Sequence, residues 1–313
     1  MKPPSTPALF SLSSWDRTSA LTGDASARGY TRLWKNGRTA ILVEYPKAVR
    51  LQLERDLEVF AWCRDLGIRV PDLQAVDLAG GRAILEDLGV DDAEIALEAT
   101  RPEARPALLE RLLEPLEQLA KVNPADLPSW NPPLDGARMR WELAGFELWF
   151  IRHYRARGPS ADLTRWLDDV ATRATRHPTR VCHRDYHLNN LLIRDTGEIG
   201  VIDIQDILVG PDTYDAVSLV YERAATRLVG THERRALLEE WADRTGAQTG
   251  WRQRAELVRI QRGLKVLGTF ARFVVCGDQR YKPWLDELAD TLAELLSDSG
   301  APPDVTAFLL DLN

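Results

Sequence analysis

The chain has 313 residues, 44% hydrophobic and 28% charged, enough for a sizeable core under a solvated surface, with room for two lobes or one large domain. Its net charge of −7 argues against a general nucleic-acid binder, and three scattered cysteines (Cys63, Cys182, Cys276) with no C-x-x-C argue against a disulfide framework or a zinc site. No run reaches transmembrane length and Met1–Ala20 lacks an apolar secretory core, so a cytoplasmic protein of a reducing compartment is expected.

Residues 1–8 read as a loose polar start. Strands are expected at Tyr30–Trp34 and Thr39–Glu44, because Asn36-Gly37 between two β-prone runs is a strong hairpin signal. Residues 48–66 read as a helix, with Leu51, Val59 and Leu66 near one stripe and Gly67 as its stop. Two further strands, Leu73–Leu78 and Arg82–Leu88, flank Gly80-Gly81. Strand, strand, helix, strand, strand makes a small α+β lobe over residues 1–89. Residues 90–313 read as a larger, mainly helical lobe. Leucines recur at helical spacing from Leu108 to Leu119, and a proline-rich connector spans Asn123–Gly136. Helices are then expected over Met139–Arg157, Ala161–Arg176, Asp212–Arg227, His232–Arg244, Trp251–Val275 and Trp284–Ser297. Thr179–Asp203 interrupts them, with two β runs, Leu191–Ile193 and Ile199–Ile202, around a turn at Asp195-Thr196-Gly197.

That interruption holds the most informative stretch, His183-Arg184-Asp185-Tyr186-His187-Leu188-Asn189-Asn190, followed by Asp203 after the second β run. The pattern His-x-Asp-x-x-x-x-Asn plus a later Asp is what a kinase-type phosphoryl-transfer loop needs. Asp185 would act as base or orienting group for an acceptor hydroxyl. Asn190 and Asp203 offer hard oxygen ligands suited to Mg²⁺, and His183 would support the loop. An unperturbed Asp, with a pKa of about 3.9, is a weak base, which suffices where catalysis is mostly positioning and charge neutralisation. The bland alternative is a chance three-letter match with a turn Asp; the hairpin context and the upstream β lobe favour the kinase reading.

Val181–Leu219 resembles the aminoglycoside phosphotransferase-like branch of the protein-kinase-like superfamily. Within it, Ile202-Asp203-Ile204-Gln205-Asp206, Gly210-Pro211-Asp212-Thr213-Tyr214-Asp215 and Ser218-Leu219 look like the bacterial anomeric kinases of N-acetylmuramate and N-acetylglucosamine, as do Gly23–Arg28, Ile84–Gly89 and Gln261–Gly268. The resemblance implies a two-lobed α+β fold, ATP and Mg²⁺ as cofactors, and an amino-sugar acceptor in cell-wall recycling. It implies Asp185 as the catalytic residue, Asn190 and Asp203 as metal ligands, and Asp215 as the buried brace of the catalytic loop. Ala25, Ser26, Ala27 and Arg28 would cover the nucleotide phosphates, with a surface turn as the alternative. Glu86 to Leu88 would be the adenine hinge.

Two departures stand out. The third-strand Lys of protein kinases is missing from Thr39–Glu44, leaving Arg28, Arg32 and Lys47 as candidates for phosphate charge. Ile204-Gln205 replaces Phe-Gly, so no phosphorylation-controlled switch is expected and a small-molecule kinase is favoured. On the acceptor side, Gln205 and Asp206 follow the metal ligand. Glu142, Trp149 and His153 fall near one helical face, beside Glu147 and Arg152, while Arg262 and Lys265 lie on a later helix. Each also reads as a core residue, a paired charge or a solvated charge. Competing functions are a phosphotransferase of aminoglycosides, choline or another small alcohol, and a nucleotide-binding pseudokinase.

Overall fold

A computed structural model describes residues 15–21, 27–194, 196–297 and 300–311. In chain order the strands are β1 (Arg17–Leu21), β2 (Gly29–Lys35), β3 (Arg38–Glu44), β4 (Leu73–Asp77), β5 (Arg82–Glu86), β6 (Thr179–Cys182), β7 (Leu191–Ile193), β8 (Ile199–Val201) and β9 (Leu208–Pro211). The α-helices are α1 (Gln52–Asp65), α2 (Ala93–Ala99), α3 (Arg105–Arg111), α4 (Glu114–Ala120), α5 (Gly136–Gly145), α6 (Ala161–Ala174), α7 (Tyr214–Tyr221), α8 (Arg223–Leu228), α9 (Thr231–Thr245), α10 (Trp251–Val275), α11 (Lys282–Leu296) and α12 (Pro303–Leu309). They form two compact units, Met1–Leu119 with Leu188–Ile207, and Ala120–His187 with Leu208–Asn313. A β-rich N-terminal sheet and a helical C-terminal part make up the protein-kinase-like α+β arrangement expected.

In the first unit an antiparallel sheet runs β1-β2-β3-β5-β4. Asn36 (φ 50°) and Gly37 (φ 75°) alone connect β2 to β3, pairing Lys35 with Arg38. A two-residue turn with both central φ values positive matches the strand twist, which is why Asn-Gly works there. Leu33, Ala40, Leu42, Ala75 and Ile84 form the buried face, with Trp15 packed against it. Helix α1 buries Leu53, Asp56, Val59, Phe60 and Cys63. It stops at Gly67 (φ 78°), where Ile68 N–H closes back on the Cys63 carbonyl. Strand β1 was not expected from sequence. All five of its residues are exposed, so it carries no buried alternation to read. The hairpin β7–β8 also belongs here, with Leu191 opposite Val201.

In the second unit, α10 packs against α5, α6, α7 and α11 and against the turn that follows α5. The helix expected over Met139–Arg157 is instead α5 followed by a π-helical stretch, Phe146–Tyr154. Gly268 of α10 explains the close approach at that junction. A Cβ there would lie 2.6 Å from the Phe146 nitrogen and 2.7 Å from the Gly145 carbonyl carbon. The helix expected over Asp212–Arg227 is broken at Glu222, which is extended and caps α8 by accepting from Ala225 N–H. Strands β6 and β9 and helix α12 were not anticipated. Among the described residues no helix is long and apolar enough to cross a membrane.

Candidate active site

The first unit carries the second half of the candidate catalytic loop, His183–Asn190. Leu188–Asn190 makes one 3-10 turn, and the Asn190 carbonyl accepts from Ile202 N–H at 3.0 Å. That bond ties the loop to the residue preceding Asp203. Asp203 sits in the left-handed region (φ 59°, ψ 31°), a conformation that costs a non-glycine residue about 1 kcal/mol or more and turns up at functional sites. Its side chain is 43% exposed. Its Oδ1 accepts from Gln205 Nε2 at 2.6 Å and from Arg28 Nη2 at 3.4 Å. Asn189 donates to Asp92 and Glu94 at the start of α2.

The second unit carries the first half. Strands β6 and β9 pair antiparallel and deliver the chain to His183. Asp215, in the first turn of α7, accepts from His183 N–H at 2.6 Å and Arg184 N–H at 2.9 Å, and so pins the loop backbone. Arg184 is left-handed (φ 81°). His183 is fully buried and its Nδ1 accepts from Asp185 N–H at 3.3 Å. Arg262 donates to the Arg184 carbonyl (2.9 Å) and the Tyr214 hydroxyl (3.1 Å), with its other nitrogen 3.7 Å from Asp185. Arg184 reaches Glu142 at 2.9 Å, and Gln261 takes that carboxylate's second oxygen at 3.0 Å. Burial alone pushes the Asp185 carboxyl up, but the positive charges of Lys265, Arg262, Arg184 and His187 outweigh it. They hold it well below the usual carboxylate range. Asp185 is therefore ionised at neutral pH.

Among the residues expected at the site, the first unit brings together Arg28, Asn190, Asp203 and Gln205. Gln205 is buried against Asp203, and Asp206 is half-buried. The second unit brings together His183, Asp185, Asp215, Glu142 and Arg262. Both Glu142 oxygens are already engaged, so it braces Arg184 and Gln261 from within the fold. Trp149 and His153 stack on each other, ring centroids 5.2 Å apart. No hydrogen bond or ring contact among the described residues joins them to the Asp185 cluster. The π winding alters the spacing at which residues share a face, so Glu142 and Trp149, seven apart, are not held to one face as a regular α-helix would hold them. Ala25 and Ser26 lie outside the described residues, and Ala27 is exposed. The Glu86 side chain clamps Arg69 and Arg194, and its N–H donates to the Asp72 carbonyl. Leu88 packs on the hairpin at Gly200. Sequence reading missed Asp56 and Tyr45, which hold Arg28. The signal was present: Asp56 is a charged residue in the apolar stripe of α1.

The donors fit a divalent cation of the magnesium type. A carboxylate and an amide oxygen are hard ligands, and such an ion takes few protein groups because phosphates and water complete its shell. Among the described residues, no group of three His, Cys, Asp or Glu side chains is arranged to hold a metal.

Residues 17–257 match the model of the phosphotransferase enzyme family. The chain belongs to that family. It is 30% identical to the N-acetylmuramate/N-acetylglucosamine kinase of Pseudomonas aeruginosa over 92% of this chain and 93% of that protein. It is 26% identical to the protein of the same name from Caulobacter vibrioides, covering 87% and 85%. In fold it is similar to the choline kinase of Streptococcus pneumoniae, with a TM-score of 0.64 at 12% identity, covering 90% of this chain and 94% of that one. An aminoglycoside-3'-phosphotransferase of type VIII gives 0.56 at 18% identity, covering 79% and 93%.

Proposed function

We propose that this phosphotransferase is an ATP-dependent kinase of an amino sugar and phosphorylates the anomeric hydroxyl of N-acetylmuramate or N-acetylglucosamine. The observation that carries the reading is full-length similarity to relatives that bear that name. The chemistry of the second unit agrees with it. Asp185 is a poor proton acceptor because cations surround it, and an anomeric hydroxyl is more acidic than other sugar hydroxyls. A carboxylate of low proton affinity is then enough to orient that hydroxyl and take its proton late in transfer.

Asp185 is assigned the acceptor hydroxyl. Asn190 and Asp203 would hold Mg²⁺, whose contribution when bound is to neutralise phosphate charge. Gln205 fixes the Asp203 carboxylate, while Asp215 and His183 fix the loop backbone. Glu86 to Leu88 remain the proposed adenine hinge through backbone groups. Asp206, Trp149 and His153 remain candidates for sugar contact. An aminoglycoside or choline acceptor would call for free carboxylates near Asp185, and Glu142 and Asp215 are already hydrogen-bonded.

The test is coupled ATP turnover across amino sugars, aminoglycosides and choline. Turnover confined to the amino sugars supports the reading. Turnover with choline or aminoglycosides but no amino sugar would reject it.

A further inference from the structure

Helix α1 follows the strand from which the phosphate-binding Lys is missing, and it buries a carboxylate that needs a reason. Asp56 has a side-chain exposure of 1%. A carboxylate so buried must be paired on both oxygens. Arg55 donates to Oδ1 from Nη2 at 2.8 Å and from Nε at 3.1 Å. The Tyr45 hydroxyl donates to Oδ2 at 2.9 Å, and Arg28 Nη1 reaches the same oxygen at 3.3 Å. The other edge of the Arg28 guanidinium, Nη2, lies 3.4 Å from Asp203. One planar fork is therefore anchored in the helix on one side and aimed at the proposed metal ligand on the other.

The two other candidate cations are placed differently. Arg32 is committed to Asp87, at 2.7 Å from Nε, and to the Gly89 carbonyl at 2.8 Å. Lys47 is exposed on a 3-10 turn. Arg28 is the one of the three that reaches Asp203. Its fork can keep a carboxylate on one edge and meet phosphate oxygens on the other, which the point charge of a lysine cannot do as well.

We propose that Arg28, positioned by Asp56 and Tyr45, is the cation that neutralises the nucleotide phosphates in this chain. A loop Arg held by a helix Asp thus replaces the strand Lys held by a helix Glu. The assignment rests on the reading that the chain binds ATP, not on which acceptor it uses.

The test is nucleotide affinity measured by titration calorimetry with ATP or ADP and Mg²⁺, without acceptor, alongside kcat, both KM values and Tm. R28A and D56N should each weaken nucleotide binding about tenfold or more, the loss expected for a charge-assisted bond. R28K should recover part of it, Y45F should show a smaller loss, and KM for the acceptor should hardly move. The R28A/D56N pair should be no worse than R28A alone, because Asp56 acts through Arg28. R28Q serves if D56N does not fold. A lowered Tm with wild-type nucleotide affinity and unchanged KM for ATP in R28A and R28Q would overturn the assignment alone. Absence of nucleotide binding by the wild-type protein would overturn the kinase reading and this assignment with it.

Discussion

Asp185 keeps its charge in the company of Lys265, Arg262, Arg184 and His187. Burial pulls the Lys265 ammonium below the ordinary lysine value, with Asp185 the largest influence in the other direction. The two groups are thus coupled, and the coupling gives a pH prediction. In the wild-type protein, Asp185 should contribute no acid limb to kcat/KM between about pH 5 and 8, because its carboxyl is ionised throughout. K265M removes a charge that holds the carboxyl down, so an acid limb should move up toward the assay range. An unchanged profile would separate Lys265 from Asp185. The stability argument has the same sign. The folded-state value lies below the ordinary 3.8, so the stabilisation from Asp185 is fully present above 3.8 and is lost progressively as pH falls from there through the lower folded-state value. D185N should therefore flatten the acid side of a Tm-against-pH curve. It should also lower kcat by about a thousandfold, within the usual acid–base contribution, with nucleotide affinity retained. Asp185, Asn190 and Asp203 are legible in sequence because their spacing is set within one loop and hairpin. Asp56 stands out locally only as a charge in the apolar stripe of α1. What it and Tyr45 do depends on a contact with Arg28 across 28 and 17 residues of chain, and no local pattern records that partner.

Helix α7 and the catalytic loop behave as one element because Asp215 accepts two backbone N–H groups. D215N would turn one acceptor into a donor facing a donor. A cost of about 1–3 kcal/mol in unfolding free energy is expected for the unmet bond, together with a fall in kcat as the loop loosens. Denaturant unfolding and kinetics on the same preparation check both, and a variant with wild-type stability would show that the loop is held by other bonds. At the α5–α10 crossing, G268A should cost about 1–3 kcal/mol from overpacking, because the nearest atoms to the new Cβ are backbone and cannot rotate away. Wild-type stability there would mean that the junction gives freely. Long periodic helices were the legible elements, and α10 appears over the residues expected, Trp251–Val275. The π stretch was not legible. It begins where Gly145 and Phe146 pack on Gly268, more than a hundred residues away in sequence, and no local pattern records that contact. Strands β6 and β9 have four residues each, too short for a period to register.

For the molecule as a whole, family membership and a kinase-type loop fix the reaction as phosphoryl transfer, and the surroundings of Asp185 bear on the acceptor. The loop divides between the two compact units after His187. That grouping joins Leu188–Ile207 to residues far upstream, so it left no compositional boundary to read. The most direct measurement compares ATP-dependent turnover of N-acetylglucosamine with that of its methyl glycoside, in which the anomeric oxygen is blocked and every other hydroxyl is free. Turnover of the free sugar and none of the glycoside is expected. Equal turnover of the two would contradict it.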